Sequence, residues 1–151
     1  MLEIGENKVK SKGLENKIKL QLADSENLPF ENDYFDAITA GFGVRNFENL
    51  EKGLSEMWRV LNKDGIVVIL EPSKPKLFPI KQIYGIYFYQ ILPFFGRLIS
   101  KDKNAYNYLP ASVDAFPENE EFVAILKDVG FSKAKFIPLT FGIVSLYIAI
   151  K

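Results

Sequence analysis

The residues that first suggest chemistry are those of GFGVRN, positions 41–46, where two glycines and an arginine follow an apolar run. Glycines at a strand end either bring the backbone close to a ligand or simply permit a turn, and Arg45 would then be a surface charge. A phosphate site would need a helix N-terminus or a lysine beside the glycines, as in G-x-G-x-x-G or G-x-x-x-x-G-K-[ST], and neither pattern is present here. The functional interpretation is therefore backbone clearance for a flat or bulky ligand.

Two further stretches place polar residues directly after apolar ones. In ADSENLPF, residues 23–30, the carboxylate of Asp24 could accept a hydrogen bond from an adenine amino group. The alternative is that Asp24 caps a turn, which is a common use of aspartate. In RVLNKDGIVVILEPSKP, residues 59–75, we interpret everything up to Leu70 as scaffold. Glu71, Ser73 and Lys74 follow the apolar strand, at the edge where a ligand would bind.

The composition restricts this chemistry further. The 151 residues include no cysteine and no histidine, which excludes disulfides, thiolate or histidine metal ligands, and Ser-His or Cys-His triads. Chemistry must use carboxylates, Arg, Lys, Tyr or a cofactor, and we predict no metal site. Acidic and basic residues balance at 19 each, which argues against a nucleic-acid-binding surface spread over the domain, though not against a local patch. MLEIGENKVK does not have the form of a signal peptide, so we expect a cytoplasmic protein.

The elements that must position these residues follow from the spacing of the apolar residues. We predict a helix that ends near Gly13, short strands at 18–23, 34–40 and 66–70, helices over 49–65 and 117–130, a polar loop over 100–112, and two closing strands separated at 140–142. One face of the first long helix carries Leu50, Leu54, Met57, Trp58 and Leu61, and the buried stripe of the second carries Phe122, Ile125, Leu126 and Val129.

This order of elements predicts the fold class. Strands that alternate with helices and end in a hairpin indicate an α/β protein with an open, mostly parallel sheet and a C-terminal antiparallel hairpin. Residues 66–70 are continuously apolar, as expected of a parallel strand covered on both faces. Ligands of such sheets bind beyond the carboxyl ends of the strands, where Asp24, Gly41 and Glu71 all fall.

One segment could be taken for a membrane span, LFPIKQIYGIYFYQILPFFGRLI at residues 77–99. It is interrupted by Lys81, by Arg97 and by two prolines. Its apolar residues follow helical spacing at Ile80, Ile83, Tyr84, Tyr87 and Ile91. We interpret the segment as a buried or half-buried helix, with a surface for a greasy ligand or a membrane as the alternative.

Together these stretches resemble a known family, the S-adenosylmethionine-dependent methyltransferases of ubiquinone and menaquinone biosynthesis. The C-terminal signature of that family runs Arg-Val-aliphatic-Lys-Pro-Gly-Gly, an apolar strand, then Glu-x-Ser. The chain keeps Arg59, Val60, Leu61, Gly65, Glu71 and Ser73 of it, and it departs at Asn62, Lys63 and Asp64, all in the turn. Further segments similar to the family's stand in the same order: LPFENDYFDAIT, GFGVRN, YNYLPASVDAFP and LTFGIVSLYIAIK. The resemblance covers essentially the whole chain.

The resemblance implies a seven-stranded Rossmann-like class I methyltransferase sheet and methyl transfer from S-adenosyl-L-methionine to a ring carbon of a polyprenyl quinol substrate. The residues matched to cofactor binding are Asp24 and Ser25 around the adenine, with Gly41 and Phe42 at the end of the next strand. Those matched to the catalytic side are Arg45, Asn46 and Tyr108. A fixed cation at Arg45 would favour the anion of an electron-rich ring, and Tyr106 or Tyr108 could bond the ring oxygens. Without histidine, a water held by Arg45 or a carboxylate would take the proton.

The start of the chain departs from the family's pattern. It resembles the helix after the second strand, so we expect the C-terminal part of one methyltransferase domain at 1–151, lacking its first two strands, with a substrate-side insertion at 76–116. The glycine-rich cofactor loop is absent, and we expect weak or lost S-adenosylmethionine binding and an inactive chain. An uncovered edge on the strand at 34–40 would favour a homodimer or a strand-exchanged dimer.

A different class of function remains open for the same sequence. The chain could be a non-catalytic fragment or adaptor that uses residues 77–99 to bind a partner or a membrane. Peripheral contact with the inner membrane would fit either hypothesis.

Overall fold

The computed structural model of the chain describes residues 2–92 and 105–151, with the side chains of the second range from residue 108 onward. Its strands are β1 (Phe35–Gly41), β2 (Leu61–Pro72), β3 (Lys133–Leu139) and β4 (Val144–Ile150). Its helices are α1 (Leu2–Ser11), α2 (Leu50–Val60), α3 (Ile80–Ile86), α4 (Ala105–Ala115) and α5 (Glu120–Val129). A π-helical turn, Tyr87–Ile91, extends α3, and short 3-10 turns cover Val44–Asn46 and Thr140–Gly142.

The four strands form one sheet in the order β1-β2-β4-β3. β1 runs parallel to β2, with Gly41 opposite Leu70. β2 runs antiparallel to β4, with Glu71 opposite Ser145, and β4 pairs antiparallel with β3, as the predicted closing hairpin requires. Because β1 and β2 are parallel, the segments that follow Gly41 and Leu70 emerge side by side at one edge of the sheet.

The core lies on the face of the sheet that α2 and α5 cover. From the sheet it receives the buried side chains Val67, Ile69, Tyr147 and Ala149, and from the two helices Leu54, Met57, Phe122, Val123 and Leu126. The side chain of Asn49 caps α2 by accepting the Lys52 N–H at 3.0 Å. Gly130 ends α5 with a φ of 123°, a conformation that suits glycine at a helix C-terminus. These local choices present two apolar helix faces to the same side of β2 and β4.

The alternation along β2 corrects the prediction that residues 66–70 are covered on both faces. Val67 and Ile69 are 1% and 0% exposed, whereas Ile66 is 37% exposed and Val68 and Leu70 are half-buried. Successive side chains of a strand point to opposite faces, and the helices that pack on β2 in the described residues lie on one face. A continuous apolar run does not reveal which face a helix will cover.

The predicted strand at residues 18–23 is wrong. These residues form no strand among those described, and the nearest pairing is an isolated bridge between Asp24 and Asn27. Alternating polarity makes a segment able to pair, but a strand also needs a neighbour whose backbone groups are free. The segment instead follows α1, whose Gly5 backbone approaches the side chain of Leu20.

The boundary between α2 and β2 also differs from the prediction, which carried the helix on to Gly65. The helix ends at Val60, and Leu61 already pairs with Phe35 of β1. The last carbonyls of α2 accept hydrogen bonds from the backbone amides of residues 33 and 34, at 3.0 and 2.8 Å. These long-range bonds replace the cap that the sequence pattern placed at Gly65, five residues later.

The predicted polar loop over 100–112 is wrong from residue 105 onward, where α4 begins; residues 100–104 lie outside the described residues. Val113 and Phe116 are buried, and Leu109 is half-buried one turn before. This is helical spacing, but Pro110 stands inside the helix. Proline is uncommon in helix interiors, which is why the polar and proline-containing sequence pattern favoured a loop.

The segment after residue 77 is helical as predicted, but much of its apolar surface is exposed. Ile83, Tyr87 and Ile91 are 62%, 50% and 41% exposed. Phe88, outside the predicted stripe, is buried and stacks on Tyr84 with ring centroids 4.9 Å apart. The π-helical turn changes the residue period, so a 3.6-residue stripe does not continue through it. Residues 93–99 of the predicted segment lie outside the described residues.

Within residues 2–92 and 105–151, no helix combines the length and the apolar character that crossing a membrane requires.

Candidate active site

The end of β1 opens onto free space. Among the described residues, no atom lies within 4 Å of the position that a Cβ would occupy at Gly41, so the backbone has the clearance that GFGVRN predicted. Phe42 follows in the left-handed region, with a φ of 58° and a side chain 47% exposed. A large residue with positive φ is uncommon and marks a turn that its surroundings enforce.

Glu71, near the carboxyl end of β2, enforces that turn. Its Oε1 accepts the Val44 N–H at 2.7 Å and the Arg45 N–H at 3.4 Å, and its Oε2 accepts Arg45 Nη1 at 2.9 Å. The carboxylate therefore caps the 3-10 turn Val44–Asn46, which begins at Gly43 and has no side-chain cap from its own N-cap residue. Glu71 is 0% exposed, and these charge-assisted bonds offset the cost of burying it.

Arg45 is held in the same contact. Its guanidinium forms an ion pair with Glu71, at 11% and 0% side-chain exposure, and donates to the Phe42 carbonyl. Its Nε–H is buried and has no acceptor among the described residues. An unpaired buried donor costs about 1–3 kcal/mol, and both side-chain bonds of Arg45 are made by Nη1.

Asn46 and Tyr108 complete the wall on this side of the sheet. The Tyr108 hydroxyl donates to Asn46 Oδ1 at 3.0 Å, and Asn46 Nδ2 lies 3.5 Å from the Phe42 carbonyl. Between the turn and α4 is a cavity of about 410 Å³. Its lining is Val44, Arg45, Phe47, Glu48, Leu50, Tyr108, Ala111, Ser112, Ala115, Phe116 and Pro117. A cavity of this size, mostly apolar with a few polar groups, suits a small ring system.

Two tyrosines of α3 and its extension, Tyr84 and Tyr89, lie near Asp114 of α4. The Tyr89 hydroxyl donates to Asp114 Oδ1 at 2.6 Å. Burial, with smaller contributions from Asp114 and Glu118, raises the pKa of Tyr84 to about 12. Burial and the bond to Asp114 raise the pKa of Tyr89 to about 12 as well. Both phenols therefore stay protonated near neutral pH, and the Tyr89 hydroxyl acts as a donor.

Asp24 and Ser25 lie in a turn separate from this cluster. Asp24 is exposed, and its Oδ1 accepts the Glu26 N–H at 2.9 Å, the turn-capping bond that was the alternative to adenine binding. Ser25 is half-buried. The next residue, Glu26, accepts the Asn49 N–H at 2.7 Å and so joins the turn to the start of α2. The turn leaves the other carboxylate oxygen of Asp24 unused in the described residues.

An ion pair on α2 fixes the loop that follows this turn. Arg59 makes two bonds to Glu56, at 2.7 and 2.8 Å, and three to the loop: the carbonyls of Leu28 and Phe30 at 3.0 and 2.8 Å, and Asn32 Oδ1 at 2.9 Å. Glu56 also accepts the Leu28 N–H at 2.8 Å. The hydrogen bond from Arg59 lowers the pKa of the Glu56 carboxyl below its usual value, although burial opposes the shift.

Ser73 and Lys74, expected at the ligand edge, join the sheet to neighbouring turns. Ser73 is 2% exposed and its hydroxyl donates to the Gly142 carbonyl at 2.9 Å. The Lys74 N–H donates to Glu118 at 2.9 Å. A second cavity, of about 370 Å³, contains Lys74 and Phe136 but none of the residues predicted for cofactor or catalysis. The 410 Å³ cavity, by contrast, is lined by two of the predicted residues, Arg45 and Tyr108.

The structure brings together four of the seven predicted site residues, and hydrogen bonds link them: Phe42, Arg45, Asn46 and Tyr108. Gly41 precedes them on β1, while no contact between them and Asp24 or Ser25 is present in the described residues. The side chain of Tyr106 lies outside the described residues. The sequence placed Glu71 at the ligand edge without assigning it a role. The signal that could have indicated one is an acidic residue directly after an apolar strand. Sequence reasoning took Arg59 as plain scaffold and missed its hold on the loop after Asp24.

Comparison with known proteins adds sequence relatives to this geometry. The model of the ubiE/COQ5 methyltransferase family matches residues 1–151. A demethylmenaquinone methyltransferase of Bacteroides fragilis is 49% identical over 151 residues, which are 100% of this chain and 62% of that protein. A ubiquinone/menaquinone biosynthesis C-methyltransferase, UbiE, of Geotalea daltonii is 44% identical over 97% of this chain and 62% of that protein. The chain thus spans about 62% of the length of these relatives.

Solved structures match the fold at low sequence identity. A SAM-dependent methyltransferase from Aquifex aeolicus superposes with a TM-score of 0.66 at 15% identity, covering 99% of this chain and 62% of that one. Phosphoethanolamine N-methyltransferase 2 of Haemonchus contortus, solved with S-adenosyl-L-methionine, gives 0.65 at 14% identity, covering 100% of this chain and 41% of that one. These matches confirm the predicted α/β methyltransferase fold class.

Proposed function

The chain belongs to the ubiE/COQ5 methyltransferase family. We propose that it functions as part of an S-adenosylmethionine-dependent C-methyltransferase of quinone biosynthesis. The proposed substrate is a polyprenyl quinol of the demethylmenaquinone or ubiquinone-precursor type. The observation that carries this proposal is the Arg45–Glu71 contact at the mouth of the 410 Å³ cavity. Arg45 and Tyr108 place a guanidinium and a phenol on the lining of this space, and Asn46 holds the Tyr108 hydroxyl.

The residues proposed for the cofactor fit its chemistry. The free space at Gly41 admits a bulky group against the backbone. The exposed carboxylate of Asp24 keeps an oxygen available for an amino group while the turn occupies the other. S-adenosylmethionine would supply the methyl group as an electrophile. Asp24, Ser25, Gly41 and Phe42 are the residues of this chain that we propose for holding it.

On the substrate side, the side chains of the cavity wall act on the ring oxygens. A ring carbon becomes nucleophilic as the neighbouring hydroxyl loses its proton, and a preorganised donor stabilises the resulting anion. Arg45 supplies that donor, although Glu71 offsets its charge, so it acts as a directed hydrogen-bond donor more than as a free cation. Tyr108 donates to Asn46 and keeps its oxygen lone pairs for a ring hydroxyl. A water at the cavity mouth takes the proton, with Glu48 as the carboxylate on that lining.

Replacement of Arg45 tests this assignment in the protein expressed from its full reading frame. Arg45→Ala should lower kcat for methylation of a short-chain demethylmenaquinol by about 10²–10³-fold, the usual loss when one preorganised donor is removed. The KM for S-adenosylmethionine should change little. Lys63→Ala removes an exposed positive charge from the turn of β2 and serves as control. An unchanged kcat/KM in Arg45→Ala would show that the arginine has no role in the reaction.

A second candidate function is favoured by the apolar surface of α3. Ile83, Ile86 and Tyr87 are each at least half exposed, at 62%, 53% and 50%. They lie within five consecutive residues, whereas exposed apolar residues that are scattered singly over a surface need no explanation. We propose peripheral contact with a membrane through the apolar surface of α3, either during catalysis or as an adaptor without catalysis. Calorimetry with S-adenosylmethionine, on this chain and on the protein expressed from its full reading frame, separates the two. Cofactor binding by the longer protein supports the enzyme, and vesicle binding without cofactor binding by either supports the adaptor.

The edge strand β1 supports a further proposal, that two copies of the chain associate. β1 pairs with β2 on one side, and its other side has no partner strand in the described residues. Free backbone groups of an edge strand pair readily with another chain. Light scattering at micromolar concentration should give a dimer, and a monodisperse monomer would contradict the proposal.

A further inference from the structure

We propose that Glu71 is the positioning residue of Arg45, and that it masks the charge of the guanidinium so that the cavity receives a neutral ring rather than an anion. This inference rests on the proposed function. The inference goes beyond the proposed function in two respects. It assigns a positioning role to Glu71 and a neutral protonation state to the substrate ring, neither of which the family match or the cavity specifies.

The first support is the position of Glu71 in its strand. Val67 and Ile69 share its face and are 1% and 0% exposed, so an apolar residue would be expected at the next alternate position. A fully buried carboxylate is costly even when it is paired, and an apolar replacement of a buried ion pair often costs nothing. A charge at this position is therefore better explained by the site than by stability.

The second support is the way the carboxylate divides its contacts. One oxygen holds the backbone of the Val44–Asn46 turn, and the other holds the Arg45 guanidinium. With the Phe42 carbonyl as a second acceptor, Nη1 of the guanidinium is held between two oxygens. Neither the turn nor the side chain can rotate without breaking a bond to Glu71, so the carboxylate sets how Arg45 faces the cavity.

The third support is the charge balance at the cavity wall. Arg45 and Glu71 are 11% and 0% exposed and 2.9 Å apart, and at this burial each strongly screens the other. The pair presents no net charge to a ring in the cavity. A neutral quinol can accept a hydrogen bond from the arginine, whereas an anionic ring finds little net electrostatic attraction at this pair.

Three substitutions separate masking from positioning. Glu71→Gln removes the negative charge and unmasks the guanidinium, so an anionic ring should bind more tightly while methylation slows. Glu71→Asp keeps the charge but shortens the reach, so methylation should slow without a gain in anion binding. Arg45→Met, made in the Glu71→Gln background, should abolish the gain, because the gain arises from Arg45. Glu15→Gln changes an exposed glutamate in the same way and is the matched control.

The probe is 4-nitrophenol, whose absorbance distinguishes the bound phenolate from the phenol, titrated at a pH where it is ionised. Glu71→Gln should bind the phenolate at least about tenfold more tightly than the parent protein, and the double variant should return to the parent affinity. The masking role would be refuted if Glu71→Gln did not increase the affinity for the phenolate, or if the increase were equally large with and without Arg45. A gain together with unchanged kcat would refute the positioning role.

The test still decides if Glu71→Gln does not fold. Arg45→Met alone should then change phenolate affinity by no more than about threefold, because the charge it removes is already masked. A loss of more than about tenfold would show a free cation and overturn the proposal. Since the probe reports binding alone, absence of methylation would count against the proposed function and leave this result standing.

Discussion

Arg59 is expected to control the loop that bears Asp24 and Ser25, and Arg59→Met tests this directly. The substitution keeps the apolar stem but removes all five hydrogen bonds of the guanidinium, three of which reach residues 28–32. A typical bond of this kind contributes a net 0.5–1.5 kcal/mol, roughly. Three bonds would give about 1.5–4.5 kcal/mol, and the 30% exposure of the side chain places the loss near the lower end, at about 2 kcal/mol.

A loss of about 2 kcal/mol should lower the Tm by about 4–8 °C in a domain of this size. Thermal unfolding followed by circular dichroism measures this, and hydrogen exchange locates it, because the Leu28 amide is bonded to Glu56 and should lose protection first. Lys52→Met on the same helix removes an exposed charge and should stay within about 0.5 kcal/mol of the parent. If the loop binds the cofactor, the KM for S-adenosylmethionine should rise while kcat at saturation is kept. Unchanged Leu28 protection together with an unchanged Tm would refute the reasoning.

Two further predictions follow from the same contacts. The hydrogen bond from Arg59 lowers the pKa of the Glu56 carboxyl in the folded state below its ordinary value. This carboxylate therefore contributes stability above its unfolded pKa and loses it as the pH falls through its folded pKa. The Tm of the parent should therefore fall more steeply than that of Glu56→Gln between about pH 5 and pH 3; parallel curves would show that the ion pair adds nothing. Tyr147→Phe removes the acceptor of the Asn119 N–H, a 2.9 Å bond to a residue that is 1% exposed. It should cost about 1–2 kcal/mol, or about 2–8 °C in Tm. Tyr34→Phe, at an exposed position, is its control, and equal shifts in both variants would contradict the assignment.

The sequence was sufficient to predict the edge of the sheet at which the site lies. Apolar runs ending at Gly41 and Leu70 indicated two parallel strands, and parallel strands deliver their following residues to one edge. The contact between Arg45 and Glu71 was beyond reach, because 26 residues separate them and only the register of β1 against β2 decides which side chains meet. The sequence also does not decide between the two roles of Asp24, since the same carboxylate can cap a turn and bind a ligand.

The elements that were missed depend on neighbours rather than on local pattern. Residues 18–23 alternate as a strand does but find no strand beside them in the described residues. Helical spacing is present at Leu109 and Val113 of α4 and at Phe116 just after it. However, Pro110 lies inside the helix, and helix-propensity scales rank proline as the least favourable residue. In both cases the deciding contribution is tertiary, and a single sequence does not contain it.

The position of Glu71 on the covered face of β2 has a consequence for which insertions and deletions this protein tolerates. One extra residue between Gly65 and Leu70 would turn the carboxylate to the opposite side of the sheet and leave Val44 and Arg45 without their acceptor. Two extra residues would restore the side but carry the carboxylate about 6.6 Å along the strand, at about 3.3 Å per residue. Variation in length among related chains should therefore collect in the connections that follow β2, while the count of residues from Gly65 to Glu71 stays constant.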